Sequence, residues 1–232
     1  MTIYAIIESI FTAVILTFSI VTHEISHGYT ALLLGDNTAK YQKRLSFNPI
    51  HHANPKMLAV LVAALLLTKL LPILSDFAGI IICASFLMLA KPVPINPSYF
   101  KDPKKGMAIT ALMGPVVNIV FAFIGVLLFV ALYEYNYSFS QYVMLFLQIT
   151  ISINVSLAVF NLIPFPPLDG SKILFAFLPS KYYFIVMQYE RYIMLGFIIL
   201  VTSGRFDRLI GAGSDNLISF FVKAAEFILR KG

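Results

Sequence analysis

The chain has 232 residues, 59% of them hydrophobic and only 12% charged, with a mean hydropathy of +0.85 and a formal net charge of +6. That balance excludes an ordinary soluble domain and predicts an all-α membrane protein that crosses the bilayer several times. The basic excess does not point to nucleic acid, because the lysines and arginines are spread over several loops and form no patch with interleaved aromatics. Cys83 is the single cysteine, so an intrachain disulfide is excluded.

The first apolar stretch, residues 3 to 34, has no lysine or arginine before it and no small-residue cleavage site after it, so it is expected to be a retained helix and not a signal peptide. Further apolar stretches follow at 57 to 74, 77 to 90, 107 to 132, 141 to 163 and 183 to 203, with a weaker one at 209 to 229. Most reach the ~20 residues that one crossing requires. The expected architecture is a polytopic helical bundle of about five to seven membrane segments, with room for short extended or re-entrant pieces. Residues 1–204 are read as the core and residues 205–232 as an amphipathic or membrane-associated helical segment.

Positive charge sets the expected topology. Lys40, Lys43, Arg44 and Lys56 lie in the loop at 36 to 56, Lys91, Lys101, Lys104 and Lys105 in the loop at 91 to 106, and none at 133 to 140. The first two loops are therefore expected in the cytoplasm and the third outside. An even number of crossings must join the two inside loops, so 57 to 90 is expected to be a hairpin bending around Pro72, Asp76 and Gly79. Counting ~1.5 Å of rise per residue from position 3 puts His23 some 30 Å along, toward the cytoplasmic face. The helix at 141 to 163 returns to that same depth and delivers "FNLIPFPPLDG", residues 160 to 170, beside it.

Within the first helix stands "HEISH", residues 23 to 27. The i, i+4 spacing stacks His23 and His27 on one face, as a tetrahedral zinc site needs, while Glu24 is offset by about 100 degrees, beside a metal and not on it. The bland alternative is two polar residues at the end of a membrane helix. A shuffled chain of this composition shows the pattern about once in 700 trials, and ionisable groups such as Asp, Lys or Arg cost on the order of 2.5 to 3.5 kcal/mol inside a membrane, so they persist where they work. A hydrolytic zinc site wants a third protein ligand. Asp169 is the acidic residue that follows an apolar helix into a proline-broken turn; on local sequence it is either that ligand or the N-cap of the helix that begins at "GSKILFAF".

The stretches "THEISHGYTALLLGDNTA", "LSFNPIHHANP", "KPVPINPSYFKDPKKGMAITALMGPVVN" and "FNLIPFPPLDGSKILFAFLP" resemble the site-2 protease family of zinc intramembrane metallopeptidases, in its compact form without an inserted PDZ domain. The resemblance spans about residues 18 to 180. It implies one Zn2+ per chain held by His23, His27 and Asp169, with Glu24 as catalytic base. It also implies cleavage of peptide bonds within membrane-embedded protein or peptide substrates; the charge-based topology adds the expectation of a cell-membrane protein with the active site nearer the cytoplasmic face. Asn54 stands where the family usually has aspartate, and Lys56-Met57 where a small residue often follows; neither touches the metal. His52 and Asn118 resemble family positions near the active site. Each is read either as a donor to a developing oxyanion or as a structural group, His52 at the interface and Asn118 between helices. A catalytically inactive membrane scaffold or an ion-transport protein with a structural metal is the competing reading, and neither has a use for a carboxylate beside the histidines. Substrate identity and oligomeric state are not legible in the sequence.

Overall fold

A computed structural model of the chain describes residues 3–52, 91–134, 140–179 and 205–230, with scattered positions between 56 and 67 and between 188 and 196. The described residues are helical and contain no strand: α1 (Ile3–Leu33), α2 (Thr38–Tyr41), α3 (Pro49–His52), α4 (Pro103–Glu134), α5 (Gln141–Leu162), α6 (Asp169–Phe177) and α7 (Arg205–Arg230), with a 3₁₀ turn at Pro97–Tyr99. Three of these helices, α1, α4 and α5, are long and apolar enough to cross a membrane. The apolar stretches at 57 to 74, 77 to 90 and 183 to 203, and with them the expected hairpin, lie outside the continuously described residues.

Helix α1 runs for 31 residues, about 46 Å at 1.5 Å per residue, so it outreaches a hydrocarbon core of about 30 Å. Most of its serine and threonine hydroxyls return to their own backbone, as Thr17 does in donating to the Ala13 carbonyl at 2.7 Å, which satisfies those hydrogens in an apolar setting. The helix stops in a Schellman motif. Gly35 takes φ +106°, its N–H reaches the Leu32 carbonyl at 3.1 Å, and the Asp36 N–H reaches Ala31 at 2.9 Å. Helix α4 starts just as legibly. Asp102 caps it by accepting the Lys104 and Lys105 amides at 3.1 Å each, with Pro103 at the first helical position. The bond from Lys105 in particular holds the Asp102 carboxyl below its usual range.

The outer faces are apolar, with Val14 and Phe18 of α1 and Ile109, Val120 and Leu128 of α4 exposed, as lipid contact requires. Packing inside relies on small and β-branched residues: Ala122, Val126 and Val130 of α4 meet Ile151 and Val155 of α5 and Phe221 and Ala225 of α7. Helices α1, α4 and α5 thus form a tight group whose polar residues concentrate at the end of α1 beside the α5–α6 turn.

Candidate metal centre and active site

His23 and His27 lie one turn apart on the buried face of α1, with ring centroids 4.7 Å apart and planes at 87°. They can lie against α4 only because residue 114 is glycine: a Cβ there would sit 2.6 Å from His23 Nε2 and 2.6 Å from His27 Cε1. On the other side, α5 ends at Leu162 and the chain turns through a cis Pro166-Pro167 bond into α6. Gly170 seats the first turn of α6 on the Leu162 and Ile163 carbonyls, where a Cβ would overlap them. That turn carries Asp169 inward. Its Oδ2 lies 3.0 Å from His23 Nε2 and 3.1 Å from His27 Nε2.

Asp169 makes no capping bond to α6; Leu168 occupies the cap position. Of the two sequence readings of this residue, the geometry is that of a ligand. Its Oδ1 accepts the Lys172 ammonium at 2.9 Å. Burial opposes ionisation of Asp169, but the imidazoles of His27 and His23 and the Lys172 charge outweigh it and hold the carboxyl well below its ordinary range.

One nitrogen from each histidine and one carboxylate oxygen lie within 4.8 Å of one another, all buried. Ligand bonds of about 2.0–2.1 Å at tetrahedral angles would set donors about 3.3 Å apart, so separations of 3.0 and 3.1 Å need to open by only a few tenths of an ångström. The outer nitrogens test the fit further. His27 Nδ1–H donates to the Thr110 carbonyl at 2.7 Å, which leaves the Nε2 lone pair free for a cation. Pro115 loosens α4 beside that carbonyl by removing the N–H that would bond to residue 111.

At His23, the Asn118 amide lies 3.3 Å from Nδ1 with its nitrogen turned to the ring. In that orientation Nδ1 would have to accept, the proton would sit on Nε2, and Asn118 Oδ1 would stay buried without a partner. Turning the amide over, an assignment its shape leaves open, lets Oδ1 accept Nδ1–H, satisfies the buried oxygen and frees Nε2 for a metal. Both histidines then present lone pairs to the same locus, and a zinc ion fits the donor set.

Glu24 is buried on the neighbouring face of α1, and its Oε2 accepts the Val93 N–H at 2.9 Å. Val93 belongs to a strap, residues 91–96, that has no regular structure and is tied down along its length. The Lys91 N–H donates to the His52 carbonyl at 2.7 Å, and Arg44 Nη2 donates to the Lys91 carbonyl at 2.7 Å. The Asn96 N–H donates to Asp36 Oδ2 at 2.7 Å. Asp36 is fully buried and also accepts from the Thr38 amide and hydroxyl through Oδ1. Pro92 and Pro94 fix the strap's φ angles between these ties. One carboxylate oxygen of Glu24 is therefore held by a clamped backbone amide.

The profile of "Peptidase family M50" matches residues 130–202, which include Asp169. A Bacillus subtilis (strain 168) protein named "Putative zinc metalloprotease YwhC" is 32% identical over 219 residues, covering 91% of this chain and 90% of its own length, and so takes in the HEISH segment as well. The chain belongs to peptidase family M50. No solved structure matches it. Membership makes this helical membrane protein a zinc metallopeptidase of the site-2 protease type, as the motifs resembled.

In this M50 peptidase the structure brings together His23, His27, Asp169 and Asn118, with Glu24 alongside. His52 is buried on the Glu24 side of the site: its Nε2 lies 2.7 Å from the Ser46 carbonyl and its own carbonyl holds the strap that clamps Glu24. Burial lowers the His52 pKa against that bond, so the ring stays neutral near pH 7. Thr22 and Ser26 spend their hydroxyls on carbonyls of α1, and Asn161 spends its amide on the Leu157 carbonyl. Sequence reasoning missed Lys172, although its i+3 spacing from Asp169 was a readable signal. It also missed Thr110 and Val93, which act through the backbone and leave no trace in residue type. Asn54 and Met57 lie outside the described residues.

Proposed function

We propose that this M50 metallopeptidase is an intramembrane endopeptidase that cleaves peptide bonds in or near transmembrane segments of membrane proteins, using one zinc ion held by His23, His27 and Asp169. The observation that carries the reading is the convergence of those three side chains, from one membrane helix and a buried turn, on one locus with Glu24 beside it. When bound, zinc supplies a Lewis acid that polarises the scissile carbonyl and lowers the pKa of water toward ~7.

The chain's own groups do the rest. Val93 N–H holds Glu24 Oε2, so Oε1 is the atom that takes a proton from the attacking water and returns it to the leaving amine. Lys172 engages Asp169 Oδ1 and so reserves Oδ2 for the metal. Asn118 and Thr110 keep the imidazoles in register. A substrate helix has its scissile carbonyl locked in a backbone bond, so it must unwind locally, and helix-breaking sequences should be preferred. An inert scaffold or ion-transport protein would have no use for a base clamped beside three metal donors.

The loops at 36 to 56 and 91 to 106 touch through Arg44, His52 and Asp36, which supports placing both on one side of the membrane. Their lysines and arginines make that side the cytoplasm, with the catalytic end of α1 near it, in a cell-membrane protein. Residues 1–204 serve as the protease core and 205–232 as a membrane-associated helix. Purified protein stripped with a chelator should lose cleavage of a model transmembrane peptide and regain it with about one equivalent of zinc. Cleavage that persists in zinc-free protein refutes the reading.

A further inference from the structure

Beside Asp169 lies a recess of about 440 Å³ between the start of α4, the proline turn and α6. Its walls include Pro97, Met107, Pro167 and Phe175, and its remaining lining includes Lys104 and Lys172. The volume falls in the range of about 300–1,000 Å³ typical of ligand pockets. Prolines fix much of the wall, so little side-chain freedom remains to be lost when something enters.

The two lysines decide what that is. Lys172 Nζ is drawn to Asp169 Oδ1 at 2.9 Å and Lys104 Nζ to the Leu178 carbonyl at 2.9 Å. Each ammonium is drawn to an oxygen outside the lining, and the lysines offer the recess their alkyl stems beside Pro97, Met107, Pro167 and Phe175. The recess therefore selects an apolar and not an acidic occupant. It also adjoins the metal centre, since Lys172 forms part of its lining while bonding Asp169.

Resting on the endopeptidase reading, we propose that this recess is the specificity pocket of the site, seating a large apolar side chain of the unwound substrate next to the scissile bond. Leucine, methionine or phenylalanine fits the lining. Aspartate or lysine in the same place would exchange water for walls that are mostly apolar.

The test uses full-length holoprotein in detergent or bilayers and a set of model transmembrane peptides that differ only at the residues flanking the cleaved bond. At one of those positions the parent should cleave the leucine or phenylalanine peptide at least roughly 10-fold faster than the alanine peptide, since each added methylene in such a pocket is worth about 10- to 200-fold. Ala176→Phe, which fills the recess, should reverse that order at unchanged zinc content. Met107→Ala, which enlarges it, should raise the ratio of phenylalanine to leucine cleavage by several-fold. A parent that cleaves with no preference at either flanking position overturns the pocket alone. So do two variants that slow every peptide equally, which is the result if a lipid chain fills the recess. A parent that cleaves no peptide at full zinc occupancy overturns the endopeptidase reading, and the pocket with it.

Discussion

Gly114→Ala is a one-carbon substitution on α4 that should disable the metal centre without touching a ligand. The new Cβ would stand 2.6 Å from His23 Nε2 and from His27 Cε1, against ordinary contacts of about 3.4 Å or more. The two rings must then retreat by nearly 1 Å. Metal–ligand distances tolerate about ±0.2 Å, so displacement cannot be absorbed at the ligands themselves. Overpacking of this kind costs about 1–3 kcal/mol. Spent on the histidines, it amounts to a loss of roughly 5- to 150-fold in zinc affinity. Competition against a chelator of known affinity reads that loss directly, with thermal unfolding of the metal-free protein as the check on folding. Gly125→Ala is the control: on the same helix, its nearest contact is Ile151 Cγ1 at 3.0 Å, far from the histidines, and it should leave zinc binding unchanged. Parent-like zinc affinity in a folded Gly114→Ala protein would refute the argument that glycine here serves the histidines.

Asn118→Leu should weaken zinc binding by about 10- to 100-fold, the usual effect of removing a ligand's hydrogen-bond partner, whereas Asn118→Asp should retain zinc and most cleavage because the acceptor for His23 Nδ1–H remains. Retained zinc with lost cleavage in Asn118→Asp would instead make the amide N–H an oxyanion donor. Asp36→Asn replaces one acceptor of the strap clamp with a donor, so kcat should fall by roughly 10-fold at unchanged zinc content, measured by steady-state peptide cleavage. Cysteines placed at Tyr41 and Lys101 should resist an impermeant thiol reagent applied to intact cells, and one at Ser138 should react; labelling of the first two would invert the topology.

Much of this was legible in the sequence because membrane helices write themselves in runs of apolar residues. The stretches at 3 to 34, 107 to 132 and 141 to 163 differ from α1, α4 and α5 by at most four residues at any end. The His-Glu-x-x-His spacing was legible because helix geometry converts it directly into a shared face. Asp169 was ambiguous, since a carboxylate at a helix start satisfies the capping pattern and the ligand pattern equally; only the approach of α1 separates them. His52 was drawn toward the site by resemblance; its ring bonds Ser46 in its own loop, while its carbonyl holds the strap that clamps Glu24. The clamp on Glu24 was invisible because its donor is the amide of Val93, 69 residues away, and any residue but proline offers that group.

The central claim is that Glu24 moves the proton while His23, His27 and Asp169 hold the metal, and Glu24→Gln tests it most directly. The substitution keeps size and an acceptor for Val93 N–H while removing the basic carboxylate. At matched zinc occupancy, cleavage of a model transmembrane peptide should fall by about 100-fold or more, the scale of general acid–base catalysis. Equal cleavage by the parent and Glu24→Gln, with zinc bound equally in both, would contradict the account.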